Sequence, residues 1–166
     1  ASTPFRFDPM RHAITFGALL SCLLAIALPA RGQDAAPAGA ASPGALVPLP
    51  QSLEVRPGEL RFARAVALDA PATAPHARRA LEQALDGWGL ASDRAAGTRI
   101  RLQRVDDPAL GEEGYRLVVG EGIELAAQTD AGLLHAVQSL RQLMPAGKQA
   151  QYRLPHVTVA DVPAYR

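Results

Sequence analysis

The stretch GYRLVVGEGIELAAQTDAGLLHAVQSLRQLMP, residues 114–145, decides the fold because it reads as two paired strands followed by a helix. Tyr115, Leu117 and Val119 alternate with Arg116 and Val118. After the Gly120-Glu121-Gly122 turn the alternation resumes at Ile123 and Leu125, the pattern of a half-buried hairpin. The period then changes. Thr129 or Asp130 caps a helix whose apolar positions Leu133, Val137, Leu140 and Met144 fall at i, i+4, i+7 and i+11, with Ala136 and Leu143 widening the stripe. Pro145 ends the helix and Arg141 lies near the favourable C-terminal end of its dipole. A stripe of that width needs a partner, and the apolar face of the adjacent hairpin is the nearest one.

Outward from this centre the chain is uneven. Its 166 residues are 48% hydrophobic, enough for one modest domain, but the ends differ from the middle. Seventeen Lys and Arg against 16 Asp and Glu leave a formal net charge of +1, which offers no basic patch for nucleic acid and no acidic tail for a cationic partner. The single cysteine, Cys22, excludes an internal disulfide, so the fold is held by packing.

Residues 1–9 have no periodicity and read as an upstream extension before Met10. Arg11 and the apolar run 13–30 then reproduce the basic and hydrophobic regions of a secretory signal, assigned to residues 10–32. The run is about 18 residues long, the bottom of the spanning range, and no basic stop-transfer cluster follows Arg31. Cleavage is therefore expected over retention. Ala30 and Gly32 are the small residues a signal peptidase reads, which makes Gln33 the expected mature start. Leu19-Leu20-Ser21-Cys22 loosely resembles a lipoprotein box, but apolar residues continue past Cys22, which argues against lipidation there. Residues 33–46, dominated by Ala, Gly and Pro, read as a flexible tether.

The folded part is expected over residues 47–163. Residues 52–55 and 60–62 flank Arg56-Pro57-Gly58-Glu59 as a small hairpin, and Val66-Ala67-Leu68 supplies another strand. A helix follows, with Thr73 as cap, Pro75 in its first turn, Ala77, Leu81, Ala84, Leu85 and Trp88 on one face, and Gly87 and Gly89 closing it. Residues 99–105 alternate as a strand before the Asp106-Asp107-Pro108 loop. Val157 and Val159 mark a last strand, stopped by Asp161-Val162-Pro163. Strands, helix, strands, helix, strand, with tight turns in the middle, predict an α+β fold. It has two layers: a mainly antiparallel sheet with two helices on one face.

Chemistry is scarce. His12, His76, His135 and His156 are isolated, with no HExxH and no paired cysteines, so no metal site and no cofactor are expected. His135 has no carboxylate or second histidine at helical spacing and reads as a packing or boundary residue. Asp106-Asp107 and Glu112-Glu113 resemble an acid/base pairing, yet their loop position fits solvated turn residues. There is no GxSxG elbow and no phosphate loop. Neither a catalytic nor a substrate-binding residue is assigned. Trp88, at the end of an apolar stripe, reads as core rather than as a sugar-stacking platform.

Four segments together resemble the N-terminal domain of β-N-acetylhexosaminidases of glycoside hydrolase family 20. They are Val47-Pro48-Leu49-Pro50-Gln51, Glu113-Gly114-Tyr115-Arg116-Leu117, the helix running from Ala131-Gly132-Leu133-Leu134 to Gln142-Leu143, and Leu154-Pro155 through Asp161-Val162-Pro163 with Tyr165-Arg166. The resemblance implies a sheet with two helices on one side, similar to a zinc-protease subdomain without the metal. It also implies that the chemistry lies in a (β/α)₈ barrel C-terminal to Arg166, whose first residues would be 164–166. There an adjacent Asp-Glu pair would use the substrate's own 2-acetamido group as nucleophile, an exception to the two-carboxylate scheme. This chain has no Asp-Glu dipeptide, and Arg166 is not the arginine that holds the sugar. Ala164 and Tyr165 depart from the Arg-Phe pair frequent in the family.

The expectation is thus an exported, periplasmic or secreted, non-catalytic domain that supports a barrel acting on terminal N-acetylhexosamine residues. It would meet a membrane only through its signal segment and leave a partly apolar face uncovered. Two readings compete. A stand-alone carbohydrate-binding or adaptor module gains from Trp88, Tyr115, Tyr152 and Tyr165 only if some of them are exposed in a row, and a membrane-tethered scaffold requires the run 13–30 to be retained.

Overall fold

The computed structural model describes residues 46–162. The expected signal segment with Ala30 and Gly32, Cys22, His12, the expected tether up to residue 45 and the last four residues lie outside the described residues, whereas Leu46, read as the end of the tether, is buried. The elements run β1 (Ser52–Phe62), β2 (Ala65–Asp69), α1 (Pro75–Trp88), β3 (Ala91–Ser92), β4 (Arg99–Arg104), a 3₁₀ turn (Pro108–Leu110), β5 (Tyr115–Val119), β6 (Ile123–Ala127), α2 (Asp130–Leu143) and β7 (Tyr152–Asp161).

The strands form one seven-stranded sheet in the order β1-β7-β5-β6-β4-β2-β3. The junctions β1–β7, β7–β5 and β5–β6 are antiparallel. Junctions β6–β4, β4–β2 and β2–β3 are parallel and, taken together, shorter. Antiparallel pairing dominates as the turns predict, and the parallel edge arises because α1 carries the chain from β2 across to β4. The α+β reading, with α2 against β4, β5 and β6 and α1 beside α2, holds.

One face of the sheet meets the helices. Tyr115, Leu117 and Val119 of β5, Ile123, Leu125 and Ala127 of β6, and Ile100 and Leu102 of β4 are all buried with Leu133, Ala136, Val137 and Leu140 of α2. The α1 stripe Ala77, Leu81, Ala84, Leu85 and Trp88 is buried as its spacing predicts. Between the helices' polar sides and the solvated sheet face, this layer holds the core cluster of the described residues.

The expected hairpin at Arg56-Pro57-Gly58-Glu59 is absent. Both halves belong to β1, and both pair with β7, with a register shift between Arg56 and Glu59. Pro57, which has no N–H, and Gly58, at φ 107°, form a bulge on an edge strand, where an unpaired residue costs least. The bulge also interrupts a long free edge that would otherwise template intermolecular pairing. β7 is longer than its Val157-Val159 alternation suggests, because the inward set changes phase at Pro155-His156, from Tyr152 and Leu154 to Val157 and Val159.

Candidate functional site

The carboxylate pairs resolve into turn chemistry. Asp107 accepts a hydrogen bond from the Ala109 N–H at 3.2 Å, capping the 3₁₀ turn, and pairs with Arg116 at 3.3 Å. Asp106, Glu112 and Glu113 are exposed, and Thr129 Oγ1 donates to the Glu112 carbonyl. His135 is exposed on α2, and His156 is half-buried against the Gly58 bulge. Among the described residues no three His, Cys, Asp or Glu side chains converge as metal ligands. Trp88, Tyr115 and Tyr152 are buried, and Tyr165 lies outside the described residues, so three of the four candidates for an aromatic platform are core.

A constellation that the linear spacing does not reveal joins the two helices. The N-cap of α1 is Ala74, whose side chain caps nothing; the expected Thr73 cap does not form. Asp130, the first residue of α2, takes that role from across the helix pair. Its carboxylate accepts from the Ala77 N–H at 2.9 Å, the His76 N–H at 3.1 Å and His76 Nδ1 at 2.7 Å. Thr129 is therefore the cap of α2, accepting from the Gly132 N–H at 3.1 Å, and Asp130 is the cap of α1. Burial disfavours the Asp130 carboxylate. The two backbone N–H groups and the imidazole outweigh it, holding the carboxyl below its usual range.

Asp130→Ala is expected to destabilise the domain by about 2 kcal/mol, since it removes a cap and leaves partly buried donors unpaired. Because the folded carboxyl titrates below its unfolded value of about 3.9, its contribution is complete above that pH and is lost as pH falls through the folded value. Denaturant titrations of parent and variant should therefore diverge at neutral pH and converge in acid. His76→Ala, with its ring 82% exposed, should cost less than about 0.5 kcal/mol.

A second constellation gathers the two ends of the domain. The Val47 N–H donates to Gln142 Oε1 at 2.7 Å, and Gln142 Nε2 donates back to the Val47 carbonyl at 3.1 Å. Gln51 N–H donates to Asp161 Oδ1 at 3.2 Å and Gln51 Nε2 to the Val162 carbonyl at 2.9 Å. Leu46 is buried, which anchors the segment, yet Val47 and Leu49 are 75% and 76% exposed. Nearby inside the core, Tyr115 Oη and Ser139 Oγ lie 2.6 Å apart, and burial, reinforced by Asp161, raises the tyrosine pKa despite the serine contact.

The sheet face away from the helices is polar, with Arg101 reaching Asp69 at 3.3 Å and Glu124 at 4.0 Å. The partly apolar uncovered face expected from the sequence comes down, among the described residues, to Val47 and Leu49, with Val55 at the sheet edge.

Comparison with known proteins places these features. Residues 44–162 match the family model described as glycosyl hydrolase family 20, domain 2. A β-N-acetylhexosaminidase of Cellulomonas fimi is 35% identical over 75 residues, 45% of this chain and 15% of that protein. The structure of the family 20 β-N-acetylhexosaminidase from Streptomyces coelicolor A3(2) superposes with a TM-score of 0.57 at 29% identity, over 78% of this chain and 28% of that one. The exo-β-N-acetylglucosaminidase of Vibrio harveyi, in complex with N-acetylglucosamine, shares the fold at a TM-score of 0.62 and 23% identity, over 79% of this chain and 21% of that one. The chain thus spans between 15% and 28% of the length of these relatives. With well over half of its own length inside the family match, this chain belongs to glycosyl hydrolase family 20 and carries its domain 2.

Proposed function

We propose that this chain is the non-catalytic N-terminal domain of an exported β-N-acetylhexosaminidase, which packs against a (β/α)₈ barrel that removes terminal N-acetylhexosamine residues from glycans. One observation carries the reading: the two ends of the domain are tied together at one corner, and two of the three large exposed hydrophobics among the described residues, Val47 and Leu49, lie there. Apolar side chains held outward beside the point where the chain leaves the sheet suit a contact with a following domain. At this corner Asp161 accepts from the Gln51 N–H, and elsewhere Asp107 caps a turn and pairs with Arg116, which leaves acid/base work to another part of the enzyme. Export is supported by the signal pattern of residues 10–32 and predicts Gln33 as the first residue of exported material on N-terminal sequencing.

The chain alone should not hydrolyse a chromogenic N-acetyl-β-glucosaminide above background, and turnover by it would refute the reading. A family 20 barrel produced without its own N-terminal domain should bind the chain in trans. Val47→Asp combined with Leu49→Asp should weaken that binding by about tenfold or more, the effect of desolvating two charges in an apolar contact. Equal binding by parent and double variant would remove this corner from the interface.

A further inference from the structure

A cleft of about 590 Å³ opens between α1 and the β2–β4 part of the sheet, and it holds positive charge that the fold does not neutralise. Arg78 from α1, Arg94 from the turn after β3 and Arg99 at the start of β4 line it, with Asp69, Glu82 and Ser92. Arg78 pairs with Glu82 at 2.9 Å, and Asp69 pairs with Arg101 at 3.3 Å. Arg94 and Arg99 form no ion pair among the described residues.

Their backbones are nonetheless pinned. The Asp93 N–H donates to the Val66 carbonyl at 2.9 Å, and Asp93 accepts from Ala95 at its side chain (2.9 Å) and from Ala96 at its carbonyl (3.0 Å), which fixes the turn bearing Arg94. Arg99 is held in register with Ala67 of β2, and the Gly122 backbone lies so close over the Arg99 carbonyl that a Cβ there would come within 2.8 Å of it. Two uncompensated guanidinium groups on rigid supports, from elements brought together only by the fold, present several N–H donors to one space. Guanidinium forks match the oxygen spacing of tetrahedral oxyanions, and backbone rigidity lowers the ordering cost of binding.

We propose that this cleft binds a phosphate or sulfate group, free or carried on a small molecule, through Arg94 and Arg99, with the Ser92 hydroxyl as a further donor. The test is an amide NMR titration of the full 166-residue chain with inorganic phosphate, inorganic sulfate and glucose 6-phosphate, at ionic strength held constant with sodium chloride. Saturable shifts centred on Ser92, Arg94 and Arg99 are expected. Tighter binding of the sugar phosphate would identify a carried group, and equal affinities would identify the free ion. Arg94→Gln and Arg99→Gln should each weaken binding about tenfold, the effect of one charge-assisted hydrogen bond. Arg79→Gln, an exposed arginine outside the cleft, should leave it unchanged. Non-saturating shifts, shifts reproduced by chloride alone, equal loss in the Arg79 variant, or unchanged binding by the Arg94/Arg99 double variant with an intact amide spectrum would each overturn the proposal.

Discussion

Replacing Tyr152 by alanine is expected to lower the unfolding free energy by about 4 kcal/mol, the scale for emptying an aromatic site in a closed core. Tyr152 is fully buried at the start of β7, with its ring stacked on Phe62 of β1 at a centroid distance of 5.2 Å and an interplanar angle of 18°. Its hydroxyl donates to the carbonyl of Trp88, the last residue of α1, and accepts from the Gln149 N–H at 3.0 Å. One side chain therefore joins the edge of the sheet, the end of the first helix and the loop before β7. Tyr152→Phe keeps the ring and should lose only about 1–2 kcal/mol for the orphaned Trp88 carbonyl and Gln149 N–H. Urea denaturation of the three proteins would check the order. A Tyr152→Ala loss below about 1 kcal/mol would mean that the site collapses freely, against the packing described.

The second large effect is expected at Gly132, where valine should cost more than about 3 kcal/mol through overpacking. A Cβ at this position in α2 would lie 2.5 Å from the Gly114 carbonyl and 2.9 Å from the Ala127 Cβ. Backbone meets backbone there, so no rotamer change relieves the clash. Gly114 is equally confined, with the Leu110 carbonyl 2.1 Å from its would-be Cβ. Gly87 is the control: it sits inside α1, and a Cβ there would meet nothing within 4 Å. Gly87→Ala should stabilise the domain by about 0.5–1 kcal/mol through helix propensity, so two glycine substitutions in two helices carry opposite signs. Thermal melts of both variants would settle it, and a neutral Gly132→Val would show that α2 can move off β5 and β6.

The parts of the fold written in local periodicity were legible. The buried positions of α1 and α2 and the inward residues of β4, β5 and β6 follow from 3.6- and 2-residue spacing, because each element buries one continuous stripe. β1 and the first half of β7 were not, since both change the parity of their inward residues partway along. A proline with a glycine or a histidine at such a point looks like a turn until the partner strand is known. β3, two exposed residues long, carries no pattern at all.

The polar sites divide in the same way. Thr129 as a cap depends on four consecutive positions, 129–132, and could be read in sequence. Asp130 as the cap of a helix that begins 55 positions earlier, at Pro75, could not, because neither residue type nor spacing records which helix ends meet. The same holds for Arg94 and Arg99, which are ordinary surface cations until α1 and the sheet close a cleft around them.

Periodicity, capping residues and four short motifs thus suffice to specify an α+β domain, the part of its core built by the helices and by β4, β5 and β6, and its family, since burial of a stripe is a property of neighbours along the chain. Strand order, the bulge of β1, the helix clasp at Asp130 and the outward placement of Val47 and Leu49 depend on which distant segments share a surface. That pairing is set by the joint packing of the whole core, and no local stretch of residues contains it.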